Sequence, residues 1–134
     1  MKDTRVLIVD EGGIRVVLNA LLSREGYKVQ MAADGEEAIN VLQQETFDLI
    51  ILEAFLPKVD GFEVLEFIQN NKTEFQNSKI KAIILSSYYC LNQKDVTTLK
   101  NLGVAEILYK PYDSLDLLVT IERVLSEKEK VPAV

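Results

Sequence analysis

The chain of 134 residues, 48% apolar and 27% charged, has the size and balance of one soluble domain that can build a full core without staples. Fifteen basic against twenty-one acidic residues give a formal charge of −6, which argues against nucleic acid as a direct ligand, because a phosphate backbone asks for a basic face. There is no histidine and a single cysteine, Cys90, which excludes histidine acid–base chemistry, histidine metal ligands and an internal disulfide.

Short apolar runs alternate with helical patterns along the chain. Val6-Leu7-Ile8-Val9 reads as a strand buried on both faces. Ile14, Val17, Leu18, Leu21 and Leu22 fall on one face of a first helix, and Gly26 stands where a helix end needs positive φ. Tyr27 to Met31 alternates as a second strand. Asp34, with Glu37 three residues on, is a capping-box variant that opens a second helix through Ala38, Val41 and Leu42. Leu49 to Leu52 is a third strand, and Pro57 to Gly61 a loop. Asp60 and Glu63 repeat the capping signal before Val64, Leu65 and Ile68. Asn70 to Lys79 is polar and reads as a long loop or a frayed helix end. Ile80 to Leu85 is a fourth strand, followed by a loop holding Tyr88, Tyr89 and Cys90.

Asn92 and Asp95 open a fourth helix that Gly103 closes, and Ile107 to Tyr109 is a short fifth strand. A last helix over about Ser114 to Glu127 would turn Leu115, Leu118, Ile121 and Leu125 inward. The division is one domain over 1–126 and a polar tail over 127–134, expected to be disordered. No apolar run approaches the roughly 18 residues of a membrane span, and the run after Arg5 is too short for a signal-peptide core. A cytoplasmic protein with no membrane contact is the expectation.

Five strands alternating with five helices predict an α/β fold with a parallel sheet covered on both faces. In such sheets ligands gather beyond the carboxyl ends of the strands, at the switch in strand order. Asp10 and Glu11 follow the first strand, Glu53 the third, Ser86 and Ser87 the fourth, and Lys110-Pro111 the fifth. If the order is 2-1-3-4-5, the switch lies between strands one and three. Asp10, Glu11 and Glu53 then converge, with Lys110 and Ser86 on the far side. Three converging carboxylates repel, and a hard dication such as Mg²⁺ would relieve them. The competing reading is that Asp10 and Glu11 cap the first helix, where the dipole favours negative charge. Spacing leaves both open.

From Arg5 to about Leu125 the chain resembles bacterial response-regulator receivers of two-component systems. The resemblance rests on Val6-Leu7-Ile8-Val9-Asp10-Glu11, Glu25-Gly26-Tyr27 and Ala33-Asp34-Gly35-Glu36-Glu37-Ala38. It continues through Phe47-Asp48-Leu49-Ile50-Ile51-Leu52-Glu53 and Leu56-Pro57-Lys58-Val59-Asp60-Gly61-Phe62-Glu63-Val64. Ile83-Ile84-Leu85-Ser86 and Leu108-Tyr109-Lys110-Pro111 complete it. The resemblance implies a (βα)5 flavodoxin-like, doubly wound five-stranded sheet in the order 2-1-3-4-5. It implies Asp10 and Glu11 as the acid pair for Mg²⁺, and Glu53 where the family has the aspartate phosphorylated by a histidine kinase. Ser86 matches the hydroxyl that turns to the phosphoryl group, and Lys110 the lysine that pairs with it, before a Lys110-Pro111 bond that the family commonly holds cis.

Three departures follow from the same match. Glu53 extends its carboxylate by one C–C bond, about 1.5 Å, and misplacing a reacting group by about 1 Å can cost on the order of a hundredfold in rate. The run Asp10-Glu11-Gly12-Gly13-Ile14-Arg15 is one residue shorter than the family pattern, which weakens any Mg²⁺ site. Ile107 stands at the position of the switch aromatic, with Tyr109 on the same strand face. The expectation is a non-enzymatic, atypical receiver that signals by protein contact without aspartyl phosphorylation. Its partners would be a histidine kinase or a downstream effector, met through the fourth helix, fifth strand and fifth helix. The alternatives are a receiver still phosphorylated in a Mg²⁺-dependent way, and a small α/β nucleotide- or flavin-binding enzyme. The last has no P-loop and no Gly-x-Gly-x-x-Gly behind it.

Overall fold

The computed structural model describes residues 3–71, 77, 79–87 and 90–127. Tyr88, Tyr89, most of the polar run after Asn71, and residues 128–134 of the expected tail lie outside them. The elements alternate strictly: β1 Arg5–Val9, α1 Ile14–Arg24, β2 Lys28–Ala32, α2 Gly35–Gln44, β3 Leu49–Glu53, α3 Gly61–Asn70, β4 Lys81–Ser87, α4 Gln93–Asn101, β5 Glu106–Lys110 and α5 Ser114–Ser126. All four strand pairings are parallel, in the order β2-β1-β3-β4-β5. This is the doubly wound arrangement implied by the resemblance.

Strand alternation divides the core in two. Leu7, Val9, Ile50, Leu52 and Ile84 pack with Leu42, Val64, Leu65 and Leu99, on the side of α2, α3 and α4. Val6, Ile8, Leu49, Ile51, Ile83 and Leu85 pack with Leu18, Leu22, Leu117, Ile121 and Val124, on the side of α1 and α5. The middles of the three inner strands are apolar on both faces, so their polar side chains fall at the strand ends.

Local chemistry sets the helix starts. Asp34 accepts from the Glu37 N–H at 2.8 Å and Asp60 from the Glu63 N–H at 3.0 Å. Asn92 and Asp95 form a reciprocal capping box. Gly26 and Gly103 take φ of 93° and 86° just past α1 and α4, where a side chain would be strained. Gly61 has a different task. A Cβ there would lie 2.6 Å from the Glu53 carbonyl oxygen, so only glycine lets α3 begin against the end of β3.

Several expectations need correction. Tyr27 precedes β2; it is buried and its N–H closes the end of α1 on the Leu22 carbonyl. Ser86, Ser87 and Lys110 belong to strands, because β4 and β5 pair as far as Ser87 with Lys110. On α1, Val17 is exposed. On α5 the inward face is Leu117, Thr120, Ile121 and Val124, while Leu115 is 66% exposed. Apolar residues occur nearly all round α5, so periodicity alone selects no single stripe. Asn77, inside the polar run, is 1% exposed. It accepts from the Phe47 N–H at 2.6 Å and donates to the Leu42 and Glu45 carbonyls, each at 2.7 Å. It thereby satisfies the end of α2 from a distant part of the chain.

Candidate functional site

The carboxyl ends of β1, β3 and β5 bring Asp10, Glu53 and Lys110 together. Asp10 continues the ladder beyond β1 by donating its N–H to the Ala32 carbonyl. Alternation then places Asp10, Glu53 and Lys110 on the side of Ile8, Ile51 and Leu108. The Lys110 Nζ donates to Glu53 Oε2 at 2.7 Å and reaches Asp10 Oδ2 at 3.4 Å. Side-chain exposure is 10% for Asp10, 15% for Glu53 and 29% for Lys110. Burial alone would depress the Lys110 pKa. The hydrogen bond and charge of Glu53, followed by those of Asp10, outweigh it and hold the ammonium above its ordinary value. The lysine is therefore locked in its charged form between two acids.

Asp10 does not cap α1. That helix starts at Gly13 with no side-chain cap and no acid in its first turn. The second oxygen of Asp10 instead accepts from the Gly12 N–H at 2.9 Å, which folds the short loop back on itself. Glu11 is exposed and stands apart from the pair. Among the described residues no three of histidine, cysteine, aspartate and glutamate are gathered to hold a metal ion. A Mg²⁺ ion would want Asp10 and Glu53 as ligands, and the Lys110 ammonium already lies between them. Asp10 and Glu53 are thus the residues that would hold such an ion, and in this structure their carboxylates are shared by the Lys110 ammonium.

The other motif residues surround this pair. Ser86 is fully buried and its Oγ has no hydrogen-bond partner. It pairs in register with Tyr109, whereas Ser87 is the residue opposite Lys110. Alternation puts Ser86 with Ile84 on the α2–α3–α4 side of the sheet, away from the side that carries Lys110. Ile107 is partly buried against that same core. The Lys110–Pro111 peptide is cis. Pro57 lies in the β3–α3 loop, where Lys58 takes φ of 65° and its ammonium approaches Asp34 at 3.7 Å. A hollow of about 220 Å³ between α4 and β5 is lined by Val96, Lys100, Val104, Ile107 and Tyr109.

Tyr112 was not singled out by sequence reasoning. Its hydroxyl is buried with no hydrogen-bond partner. Burial pushes the phenol pKa up; Lys110 draws it down, while Asp10 and Glu53 push it up. The phenol is thus within electrostatic range of all three charges. Its only sequence signal is its place two residues after Lys110.

Comparison with known proteins agrees with this geometry. The model of the response regulator receiver domain matches residues 6–122. The chain is 30% identical over 129 residues to sporulation initiation phosphotransferase F of Bacillus subtilis, covering 96% of this chain and 98% of that protein. It is 36% identical over 127 residues to the probable transcriptional regulator ycf27 of Guillardia theta, covering 94% of this chain and 47% of that protein. The chain thus spans about half the length of such regulators. Among solved structures, the chemotaxis protein CheY4 of Vibrio cholerae superposes with a TM-score of 0.82 at 30% identity, over 92% of this chain and 99% of that one. On its sequence, its strand order and these matches, the chain belongs to the response regulator receiver domain family of two-component signalling.

Proposed function

We propose that this receiver signals through protein contact without taking up a phosphoryl group, with the Lys110–Glu53 ion pair standing where a phosphoryl–lysine pair would form. The carrying observation is the 2.7 Å contact between Lys110 Nζ and Glu53 Oε2, with Asp10 Oδ2 at 3.4 Å. Three features favour the reading. The longer glutamate brings its own negative charge to the lysine. The ammonium already answers the charge of both carboxylates that a dication would take as ligands. Exposed Glu11 supplies no second acid to that site. The output surface is the face of α4, β5 and α5, and its occupant is a histidine kinase or a downstream effector. The hollow beside Val96, Lys100 and Tyr109 gives an aromatic or aliphatic anchor a place to seat.

One observation favours a second reading, a receiver still phosphorylated on Glu53 with Mg²⁺. Ser86 Oγ is buried without a partner, near the carboxyl end of β4, the strand between those that carry Glu53 and Lys110. Intact-mass spectrometry after incubation with Mg²⁺ and acetyl phosphate, or with a phosphorylated histidine kinase, separates the two. An unmodified chain supports the first reading. A phosphoryl adduct on Glu53 establishes the second.

A further inference from the structure

Among the described residues two buried hydroxyls have no hydrogen-bond partner, those of Ser86 and Tyr112. Such a group calls for an explanation, because water satisfies it in the unfolded chain. Ser86 lies on the α2–α3–α4 side of the sheet. Tyr112 packs on the other side, against the core of Ile8 and Ile51, which is the side that carries Asp10, Glu53 and Lys110. Tyr112 and Lys110 border one groove of about 270 Å³, lined also by Ile14, Leu18 and Pro111. The phenol ring therefore has room to turn. Beyond burial, the groups that act on it are Lys110, Asp10 and Glu53, in that order.

The two acids are unequally served by the lysine. Lys110 Nζ lies 2.7 Å from Glu53 Oε2 and 3.4 Å from Asp10 Oδ2. Asp10 is the most buried of the three side chains, yet it has the longer ammonium contact. Its other oxygen, Oδ1, accepts from the Gly12 N–H. A carboxylate offers about four acceptor sites, so Oδ2 can take a further donor. We propose that Tyr112 is a reserve donor for Asp10, a positioning residue whose hydroxyl turns onto Oδ2 when Lys110 withdraws. The inference rests on the proposed function, in which the Lys110–Glu53 pair is the resting state. In that state the ammonium bridges both acids and the hydroxyl goes without a partner. When Lys110 is drawn off Asp10, the hydroxyl meets the carboxylate left behind, and no buried acid is stranded. The unmet hydroxyl disfavours the resting state, and the new bond favours the opened one. Both effects make the lysine easier to free, so Tyr112 sets how readily the site gives up its ammonium.

A double-mutant cycle in urea tests this on the full chain, with Lys110→Met standing in for the withdrawn lysine. In the wild-type background Tyr112→Phe should leave the unfolding equilibrium constant unchanged or lower it, because the hydroxyl has no partner there. In Lys110→Met the same substitution should raise that constant by about tenfold, because it removes a hydrogen bond to a charged group. A ring that only fills space gives no such reversal of sign. The tyrosine absorption band reads the bond itself. It should move to longer wavelength in Lys110→Met, keep that shift when Glu53→Gln is added, and lose it when Asp10→Ala or Tyr112→Phe is added. The same effect of Tyr112→Phe in both backgrounds overturns the proposal, and so does a shift that depends on Glu53 in place of Asp10. If Lys110→Met is costly and the sign does not reverse, the reserve donor alone fails. If Lys110→Met costs no stability, the ion-pair reading fails and takes this inference with it.

Discussion

Lys110 on β5 reaches past β4 to place its ammonium 2.7 Å from the Glu53 carboxylate on β3. The contact joins two strands that are not neighbours, so it depends on the whole sheet being in register. It also sets a positive charge against the Glu53 carboxylate, the group on which the proposed function turns.

The pair contributes to stability as a unit. Removing one partner leaves a partly buried charge without its counter-ion, which costs more than losing both. Lys110→Met should destabilise the fold by about 1–3 kcal/mol, because Asp10 and Glu53 then face each other unscreened. Glu53→Gln should cost less, since Asp10 still answers the lysine. The double variant should be more stable than the sum of the two losses predicts, and urea unfolding of the four proteins measures the coupling.

Alkaline pH should loosen this end of the molecule. Lys110 and Tyr112 both hold their protons more tightly when folded than their ordinary values of 10.5 and 10.0 imply. A group with a raised folded-state pKa stabilises fully below its unfolded value and loses that contribution as pH climbs through the folded value. Thermal melts should therefore be unaffected by these two groups up to about pH 10 and fall above it. A tyrosine titrating later than the exposed ones, followed by absorbance near the phenolate band and lost in Tyr112→Phe, identifies the buried phenol.

Tyr112→Phe carries its own expectation. A buried hydroxyl without a partner is a desolvation cost, so deleting it should leave stability unchanged or raise it by about 1 kcal/mol. A loss of comparable size in urea unfolding would show that the hydroxyl has a bound partner in solution.

Asn77→Ala should be among the more damaging polar substitutions. It removes three hydrogen bonds, to the Phe47 N–H and the Leu42 and Glu45 carbonyls, in a site closed to water. The expected loss is about 2–4 kcal/mol, read as a shift of the urea midpoint. Asn77→Asp should rescue little, because the two carbonyls would then face a carboxylate.

Much of this fold is legible locally. The strands β1 and β3 are runs of aliphatic residues, and the starts of α2, α3 and α4 are written in Asp34, Asp60 and Asn92 with their acidic partners. The meeting of Asp10, Glu53 and Lys110 is legible once the strand order is in hand, because each ends its own strand. What stayed hidden depends on distant partners. Asn77 sits in a polar stretch and is buried only because the end of α2 arrives over it. The offset of Ser86 from Lys110 comes from the β4–β5 register, which neither strand encodes alone. On α5, Leu115 and Leu117 are equally apolar, and only packing against the sheet separates the exposed one from the buried one. Gly13 at the start of α1 gives no capping signal, so the role of Asp10 could not be told from spacing.

The account rests on a lysine that is already paired. The most direct measurement follows the backbone amide resonances of Ser86 and Lys110, and the Lys110 side-chain nitrogen, while Mg²⁺ and then beryllofluoride, a phosphoryl mimic, are added. The predicted result is a Lys110 ammonium that keeps its Glu53 contact and no saturable shift at either residue. A saturable shift at both, with the lysine leaving Glu53 for the added anion, would contradict it.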